Sequence, residues 1–525
     1  MGVKLHEKRR SGSRQLTAMA LSLMGAFLSP AVLAASGAEA AVADAAVLRL
    51  SPMSFAQMLA HQNADVQSSR LNVQINDHLR EAEQSVYEPI ASGMLRQEGR
   101  YRENTVEEQI VSSNLPYLDE KVNTRSIGLR AKLPSGADIS ASYQVVDRKN
   151  NVIANQTYGI LNQEYNSMVT VTFQQPLLRG SGRNVTETDL RVAELEFEIA
   201  KQQFKQQLLK SITDGMTAYW LVYKSQNIMQ LKQHAWEEAT KLEREVANRI
   251  VAGKLAQSSA LEIRSLVLNR EIEMSRAQQA YLESKNKALA LLNLPSDSAA
   301  PADLMLEGYG PLDTEFSVPH DSQVSEETML QWPAYRMTML RKDQTQVKME
   351  LARDQMRPTL NFVISASGTG FAYSRATAID QSFDSQYPDW YVGFNYEQPV
   401  YGNQKAKGQY LAQADRATEL EIQLDAIKNS FEHELNTFEE DFRTSAKAVQ
   451  QNLAEVALRQ QLYANERQRY ELGNTTLNNL EQKDTELLDS TVRMHEHKSR
   501  YEISRVMHLL YTGNLLTRYG ISVNN

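Results

Sequence analysis

Residues that could perform catalysis or hold a metal are few in this chain, and their spacing is unfavourable. The nine histidines contain no His-Glu-x-x-His pattern, which would place two zinc ligands on one helical face. His495 and His497 lie two residues apart on a predicted helix, so they point to different faces and cannot easily share a metal. Gly368-Thr369-Gly370 is a partial glycine motif without the following helix of a dinucleotide-binding unit. The sequence therefore predicts no cofactor and no metal site, and a hydrolase would lack a convergent nucleophile and base.

The N-terminus has the three parts of a secretory signal peptide. Basic residues precede an apolar run from Leu16 to Leu28, and Val32-Leu33-Ala34 offers small residues for cleavage. A membrane anchor is the alternative, but the run is too short to span a bilayer. Removal of residues 1–34 takes away five bases and one acid and changes the net charge from −8 to −12. A mildly acidic secreted protein has no electrostatic footprint for nucleic acid.

The absence of cysteine excludes several further site types. A chain without cysteine has no disulfides, no thiolate metal site and no lipidated N-terminal cysteine. No segment after the signal peptide approaches the roughly 18–20 apolar residues of a spanning helix. If the protein crosses a membrane, it must do so with strands.

Two long helical patterns, each ending at a glycine, mark an internal duplication. A shift of 220 positions superimposes Gly473 on Gly253, and the register then holds without gaps along the neighbouring helices. Glycine suits these joints because a reversal between two helices needs a backbone geometry that a side chain resists. The patterns predict helices over 186–252 and 405–472, and about 65 residues at 1.5 Å each make a rod of roughly 100 Å. Heptad spacing in the helices that follow indicates coiled-coil packing between neighbours.

Prolines separate helices from strands in both halves of the chain. A first amphipathic helix is predicted over 54–86 and ends before Pro89, and its counterpart ends before Pro358, because the residue before proline resists the helical conformation. Each strand region then ends at a proline, Pro176 or Pro399, followed by a glycine. These four prolines therefore mark the junctions between strands and helices.

Alternation of apolar and polar residues predicts strands with one face of each kind. The alternating segments are 126–133, 138–145, 168–174, 360–364 and 390–396. In a soluble sandwich the apolar face forms the core, whereas in an outer-membrane barrel it meets lipid and the polar face lines a wet interior. Long polar connections at one end and the tight turn at 134–137 are typical of such a barrel. One chain has too few strands to close a barrel, so partner subunits would be needed.

These patterns divide the chain into two repeats of helix, strands, long helix, glycine joint and helix. The predicted divisions are a signal peptide (1–34), a first repeat (35–294, strands about 89–176), a linker (295–326), a second repeat (327–516, strands about 358–399) and a C-terminal tail (517–525).

The signal peptide, the two repeats, the Gln-Pro exits and the Arg/Gly joints resemble the TolC-like outer-membrane efflux family over essentially the whole mature chain. The resemblance implies an α+β membrane protein that forms a homotrimer. Its subunits would share one outer-membrane β-barrel, continuous with a long periplasmic α-helical barrel. It also implies location in the outer membrane of a Gram-negative-type cell, with the helices in the periplasm. The implied partners are outer-membrane lipid, a periplasmic adaptor (membrane fusion) protein and an inner-membrane transporter.

The implied function is that of a passive exit duct in a tripartite efflux or type I secretion system. A small-molecule pump and a protein-secretion system would both use such a duct, so the cargo stays open. The alternative is a secreted coiled-coil scaffold or adhesin with a small β head. That alternative shares the helices, but it does not explain Tyr387, Trp390 and Tyr396 on an apolar strand, which suit an aromatic girdle at a membrane interface.

The resemblance also places the two glycine joints at the periplasmic tip of the tunnel, where an adaptor would dock. The tip residues are Arg249, Gly253, Lys254 and Leu255 in the first repeat, and Arg469, Gly473, Asn474 and Thr475 in the second.

A periplasmic gate is expected beside this tip. The best-known relatives narrow the mouth with aspartates six and nine residues after the second glycine, and here those positions hold Asn479 and Gln482. Tyr470 matches the tyrosine that locks the closed state in those relatives, and the partner position in the first repeat is Ser259. We therefore expect a gate of Tyr470, Ser259, Asn479 and Gln482 that closes through hydrogen bonds rather than carboxylate rings.

The number of strands departs from the family pattern. Relatives usually contribute four strands per subunit, whereas the alternation here predicts four in the first repeat and two in the second. The additional hairpin lies near residues 122–147, and it either joins the barrel or packs elsewhere.

Overall fold

The computed structural model describes residues 48–112, 114–152, 163–294, 304–306, 308, 326–384 and 387–522. The predicted signal peptide (1–34) and most of the predicted linker (295–326) lie outside these residues. Within the described part of the chain, no helix is both long enough and apolar enough to cross a bilayer.

Long helices dominate the described structure. In chain order the helices are α1 (Pro52–Gln62), α2 (Ala64–Gln84), α3 (Val106–Val111), α4 (Arg183–Thr186), α5 (Thr188–Val251), α6 (Ser258–Leu291), α7 (Glu326–Gln331), α8 (Pro333–Gln355), α9 (Arg375–Phe383), α10 (Gln404–Glu471), α11 (Leu477–Tyr511) and α12 (Leu515–Arg518). The predicted long helices, 186–252 and 405–472, correspond to α5 and α10 to within two residues at each end.

The predicted helix over 54–86 is wrong as a single element, because the chain breaks at Asn63 into α1 and α2. The Asn63 side chain accepts hydrogen bonds from the amides of Asp65 and Val66, at 3.1 and 3.2 Å, and so caps α2. Its Nδ2 donates to the carbonyl of Leu291 at 2.8 Å. The break therefore ties the first helices to the end of α6.

The strands form one large sheet and one small one. They are β1 (Leu48–Leu50), β2 (Ile90–Glu103), β3 (Tyr117–Lys132), β4 (Asp138–Asn150), β5 (Gln163–Pro176), β6 (Leu304–Leu306), β7 (Thr359–Ala372) and β8 (Pro388–Glu397). Among the described residues, β1 and β6 pair in parallel, and the six others form an antiparallel sheet in the order β2-β3-β4-β5-β7-β8.

The prediction of four strands in the first repeat and two in the second is confirmed by this sheet. The additional hairpin is β3–β4, and it pairs with β2 on one side and β5 on the other. Of the two alternatives left open by the sequence, the hairpin thus joins the main sheet. It does so because its apolar and polar residues alternate in phase with those of its neighbours.

The largest buried cluster lies about midway along α5 and joins both repeats. Tyr219 of α5 is fully buried against Phe55, and its hydroxyl donates to the carbonyl of Leu50 at 2.9 Å. Val506 of α11 and Leu515 of α12 complete the cluster from the second repeat. Between this cluster and the main sheet, α2 and α8 pack beside α5 and α10. Between the cluster and the glycine joints, α6 and α11 pack beside α5 and α10 instead.

Candidate functional site

One face of the main sheet is apolar and exposed in the single chain. Large apolar side chains on one face are exposed: Ile127 is 65% exposed and Trp390 is 71% exposed. The exposed apolar set on this face is Leu95, Ile127, Leu129, Ile139, Val171, Ile364, Trp390, Val392, Phe394 and Tyr396. In water such a contiguous surface would be costly to leave uncovered, so this face needs a lipid or protein neighbour.

The opposite face is mostly polar and better covered, although Met94, Phe371 and Tyr391 are exposed on it. Thr172 and Ser365 are joined by a hydroxyl hydrogen bond of 3.0 Å across β5 and β7, and Ser365 is only 4% exposed. Thr170 and Ser367 form the same kind of bond at 3.1 Å. These hydroxyl groups satisfy each other's hydrogen bonds across the two strands of this face.

Charged residues occupy this polar face at the end of the sheet far from the long helices α5 and α10. Arg148 contacts Glu120 at 3.3 Å and Glu164 at 3.2 Å, and Arg100 lies 3.6 Å from the other oxygen of Glu120. Arg100 also lies 3.5 Å from Glu98. The signs alternate along the face, so the network presents a wet, mixed-charge surface rather than a ring of one sign.

Helix α9 covers the apolar face where the exposed apolar set ends. Gly370 permits this approach, because a Cβ there would lie 1.9 Å from the carbonyl oxygen of Ala378. Asp147 is buried beneath α9 and contacts Arg375 at 2.7 Å and Arg125 at 3.3 Å. The two arginines neutralise the carboxylate, and the apolar band of the sheet ends at these charges.

The two helix joints have the backbone that their glycines require. Gly253 has a φ of +70° and Gly473 a φ of +78°, in the left-handed region that disfavours side chains. In each joint the amide that follows the glycine donates to an arginine carbonyl at 2.8 Å, from Lys254 to Arg249 and from Asn474 to Arg469. This is the hydrogen bond that closes a helix on a left-handed residue.

Tyr470 is the centre of a small buried cluster at the tip. It packs with Val246, Ile263, Leu477 and Leu480, and the Arg249 guanidinium lies 4.7 Å from its ring centroid. Arg249 Nη1 also donates to the Tyr470 carbonyl at 3.4 Å. Burial raises the pKa of the Tyr470 phenol. Within the described residues of one protomer, its hydroxyl has no hydrogen-bond partner.

The other expected gate residues lie at the same tip. The amide of Asn479 donates to the hydroxyl of Thr476 at 3.3 Å, and its side chain donates to Thr475 at 3.2 Å. Gln482 is exposed and donates to Glu486 at 3.1 Å. Ser259 stands near the start of α6, half-buried. Contacts of the Tyr470 hydroxyl with these groups are therefore a prediction for the assembly.

Sequence reasoning missed a charged group just above the gate. Arg270 of α6 is nearly fully buried, and it contacts Asp484 at 3.1 Å and Thr485 at 2.9 Å in α11. Burial raises the pKa of the Asp484 carboxyl, and the Arg270 charge lowers it in part. Burial also raises the pKa of Glu481. A buried arginine on a polar helix has no local signature, and only the pairing of α6 with α11 could have indicated it.

Solved structures with this architecture were found by comparison of folds. The CmeC outer membrane channel of Campylobacter jejuni matches with a TM-score of 0.63 and 14% identity over 88% of this chain and 86% of that one. VceC, an outer membrane protein of Vibrio cholerae, gives 0.61 and 13% over 88% and 96%. The open-state MtrE outer membrane channel of Neisseria gonorrhoeae gives 0.60 and 14% over 88% and 89%. By sequence, no family model and no curated protein matches the chain.

Proposed function

We propose, from the fold that the chain shares with these outer membrane proteins, that three copies assemble in the outer membrane into a passive exit duct. That fold is the one that the resemblance in the sequence predicted. The duct would receive its substrates from a periplasmic adaptor and an inner-membrane transporter and release them outside the cell. CmeC and MtrE are described as outer membrane channels, and we likewise propose a channel without a catalytic role.

The observation that carries the proposal is the inverted polarity of the main sheet. Exposed apolar side chains on one face and mutually bonded hydroxyl groups on the other suit a barrel wall that meets lipid on one side and water on the other. A secreted scaffold or adhesin with a small β head would need the opposite arrangement. The proposal thus follows from which face is exposed and not from strand count alone.

The long helices supply the second half of the argument. Helix α5 has 64 residues and α10 has 68, so each extends roughly 100 Å from the sheet. Such a length is excessive for a compact core, but it suits a tunnel wall that reaches across the periplasm. The tips at Gly253 and Gly473 would then be the part of the assembly farthest from the outer membrane.

We place adaptor docking at these tips. The proposed surface consists of Arg249, Gly253, Lys254, Leu255, Arg469, Gly473, Asn474 and Thr475. Gly253, Lys254 and Gly473 are exposed in one protomer, and no other described element of the chain covers them. The gate of Tyr470, Ser259, Asn479 and Gln482 would lie on the inner side of the same tip.

Fractionation tests the proposed location and assembly at little cost. We expect the full chain in the outer-membrane fraction, resistant to a carbonate wash, and extracted by detergent as a species that runs as a trimer on an unheated gel and as a monomer after boiling. A carbonate-soluble monomer with intact helices would instead support the secreted scaffold.

A further inference from the structure

The main sheet of one chain has six strands and two open edges, and both features determine the width of the exit. We propose that the assembled exit is an eighteen-stranded barrel, in which β8 of each copy pairs with β2 of the next. This inference rests on the trimer proposed above. It goes further by naming the strands that meet, the number of strands and the class of cargo that could pass.

The directions of the edge strands suit this pairing. β2 leaves the helical end of the sheet just after α2, whereas β8 returns to that end just before α10. A β8 strand beside the β2 strand of a neighbouring copy is therefore antiparallel, as are all adjacent strands within the sheet. In hydrocarbon an open edge leaves backbone amides and carbonyls without partners, and pairing with a second copy removes both edges of each sheet.

The β3–β4 hairpin belongs to the wall along its whole length. β3 pairs with β2 from Tyr117 to Arg130, and β4 pairs with β5 from Asp138 to Lys149. The hairpin also continues both faces of the sheet, the apolar outward face and the polar inward face. Its outward residues include the exposed Ile127, and its inward residues include Glu120 of the charged network. A hairpin packed away from the barrel would break both pairings and expose these faces differently.

The turn of the hairpin is hydrogen-bonded to the junction at which the first repeat passes from strand to helix. Ser135 Oγ donates to Gln175 Oε1 at 2.8 Å, and Gln175 Nε2 donates back to the Ser135 carbonyl at 3.1 Å. The amide of Gly182 donates to the same carbonyl at 3.0 Å. Gly136 has a φ of +85°, and a Cβ there would lie 2.3 Å from the carbonyl oxygen of Gly180. The junction thus holds the hairpin in register with β5.

Eighteen strands would make a wide exit. With strands about 4.8 Å apart and tilted by about 40°, eighteen strands give a backbone diameter of about 36 Å, against about 24 Å for twelve. Barrels of 16–18 strands enclose aqueous channels. Because hydroxyl and charged side chains line this one, it suits hydrophilic cargo up to the size of a polypeptide. The periplasmic tip, and not the exit, would then limit the size of what passes.

Disulfide trapping between copies tests which strands meet, and the natural absence of cysteine makes the full chain suitable. Asn395→Cys on the inward face of β8 is combined with Ser92→Cys, Met94→Cys or Arg96→Cys on β2. The control set combines it with Ser140→Cys, Ser142→Cys or Gln144→Cys on β4. We expect covalent dimers and trimers on boiled, non-reducing gels from the β2 set and none from the β4 set.

The other outcomes are informative as well. Trapping by the β4 set would show that β2 and β3 lie outside a twelve-stranded barrel, and trapping by neither set would show that β2 is not the neighbour of β8. Either result overturns the eighteen-stranded exit while the unheated trimer band still supports the duct. Loss of that band in the protein without cysteine would instead refute the trimer itself.

Removal of the hairpin tests the width. Deletion of residues 105–150 connects the far end of β2 to the start of β5 and leaves four strands with unchanged inward and outward faces. We expect the variant to remain a trimer, and we expect the largest polyethylene glycol that enters from the outer side in planar-bilayer recordings to become smaller. A trimeric variant with the same size limit would contradict the inference.

Discussion

The two helix joints have the same backbone but different side-chain support, and this contrast shows which half of the tip is held in place. In the second repeat the hydroxyl of Thr476 caps α11, and Thr475 donates to Glu466. The first repeat has Ala256 at the position of Thr476 and Leu255 at that of Thr475, and α6 begins one residue later without a side-chain cap.

The first joint depends on the second. Leu255 packs against the cluster that contains Tyr470, and the Arg249 side chain lies across the ring of that tyrosine. Arg469, which is the counterpart of Arg249, instead pairs with Glu466 on the exposed side of its own helix, at 3.0 Å. A duplicated element has thus become asymmetric. Both joints keep the backbone hydrogen bond, but side-chain hydrogen bonds of its own support the second joint, whereas contacts with the second joint support the first.

Replacement of the glycines should have the largest effect, and it should affect both joints alike. Gly253→Val or Gly473→Val places a β-branched side chain at positive φ, which should cost on the order of 1–3 kcal/mol per joint. A Cβ at either position would meet no described atom within 4 Å, so strain and not a clash is the cause. We expect normal amounts of outer-membrane trimer and a failure of export.

The matched control is Gly408→Val, at a helical glycine of α10 that also has open space around it but no positive φ. It should leave export intact. Normal export by Gly473→Val would show that the tip is not the docking surface.

Replacement of the arginines should destabilise the two joints to different extents. Arg249→Ala removes a guanidinium that covers Tyr470, a contact contributing about 0.5–2 kcal/mol. Arg469→Ala removes an ion pair whose arginine is exposed to solvent, and such pairs contribute about 0–1 kcal/mol. Limited proteolysis at the tip, with intact trimer as the reference, should be accelerated by the first change and hardly by the second. Equal effects would mean that the asymmetry has no energetic consequence.

Exchange of the capping residues should make the stabilities of the two joints more alike. Thr476→Ala should destabilise the start of α11 by about 1 kcal/mol, because the amide of Asn479 loses its acceptor. Gln257 precedes α6 but already has helical φ and ψ, so the reciprocal Ala256→Thr offers the first turn of α6 the hydroxyl acceptor that it lacks. It should stabilise the first joint by up to a similar amount. Hydrogen exchange of amides in the first turns of α6 and α11 would measure both changes. Faster exchange at α11 without any change at α6 in the reciprocal variant would restrict the capping argument to the second repeat.

The charge of the gate should change selectivity with little effect on stability. Asn479 and Gln482 correspond to Ser259 and Glu262 in the first repeat, so at these four positions only Glu262 is charged. Asn479→Asp combined with Gln482→Asp would add six carboxylates to a trimer. We expect a weakly cation-selective closed channel to become more selective and more sensitive to multivalent cations in planar bilayers. A wild-type channel that is already strongly selective, and that is unchanged by the double substitution, would show that these residues do not line the constriction.

Periodicity in the sequence was sufficient to predict most of the secondary-structure elements, because amphipathic helices and strands have local patterns. The bounds of α5 and α10, five of the six strands of the main sheet and the positive φ of the two joint glycines follow from spacing of three to four, spacing of two, or the needs of one residue. The sixth strand, β2, was not among the alternating segments. The break at Asn63 was missed, because the apolar spacing continues across it. Its structural role, a hydrogen bond from Asn63 to the carbonyl of the distant Leu291, is not visible in the local sequence.

Contacts between distant segments were beyond the reach of the sequence. The contact of the buried Arg270 with Asp484 needs α6 close to α11, and the covering of Gly370 by α9 needs a loop to fold back over the sheet. The contrast between the joints could have been partly predicted, because Thr476 and Ala256 align in the duplication. Its consequence for Arg249 and Tyr470 required the structure.

The central claim is that three copies of this chain form one duct through the outer membrane. Electron cryomicroscopy of the full chain in lipid nanodiscs tests it most directly. We predict a three-fold particle with one closed barrel inside the disc and a helical stalk of roughly 100 Å on one side only. Particles that contain a single copy, or a sheet that lies outside the lipid, would contradict it.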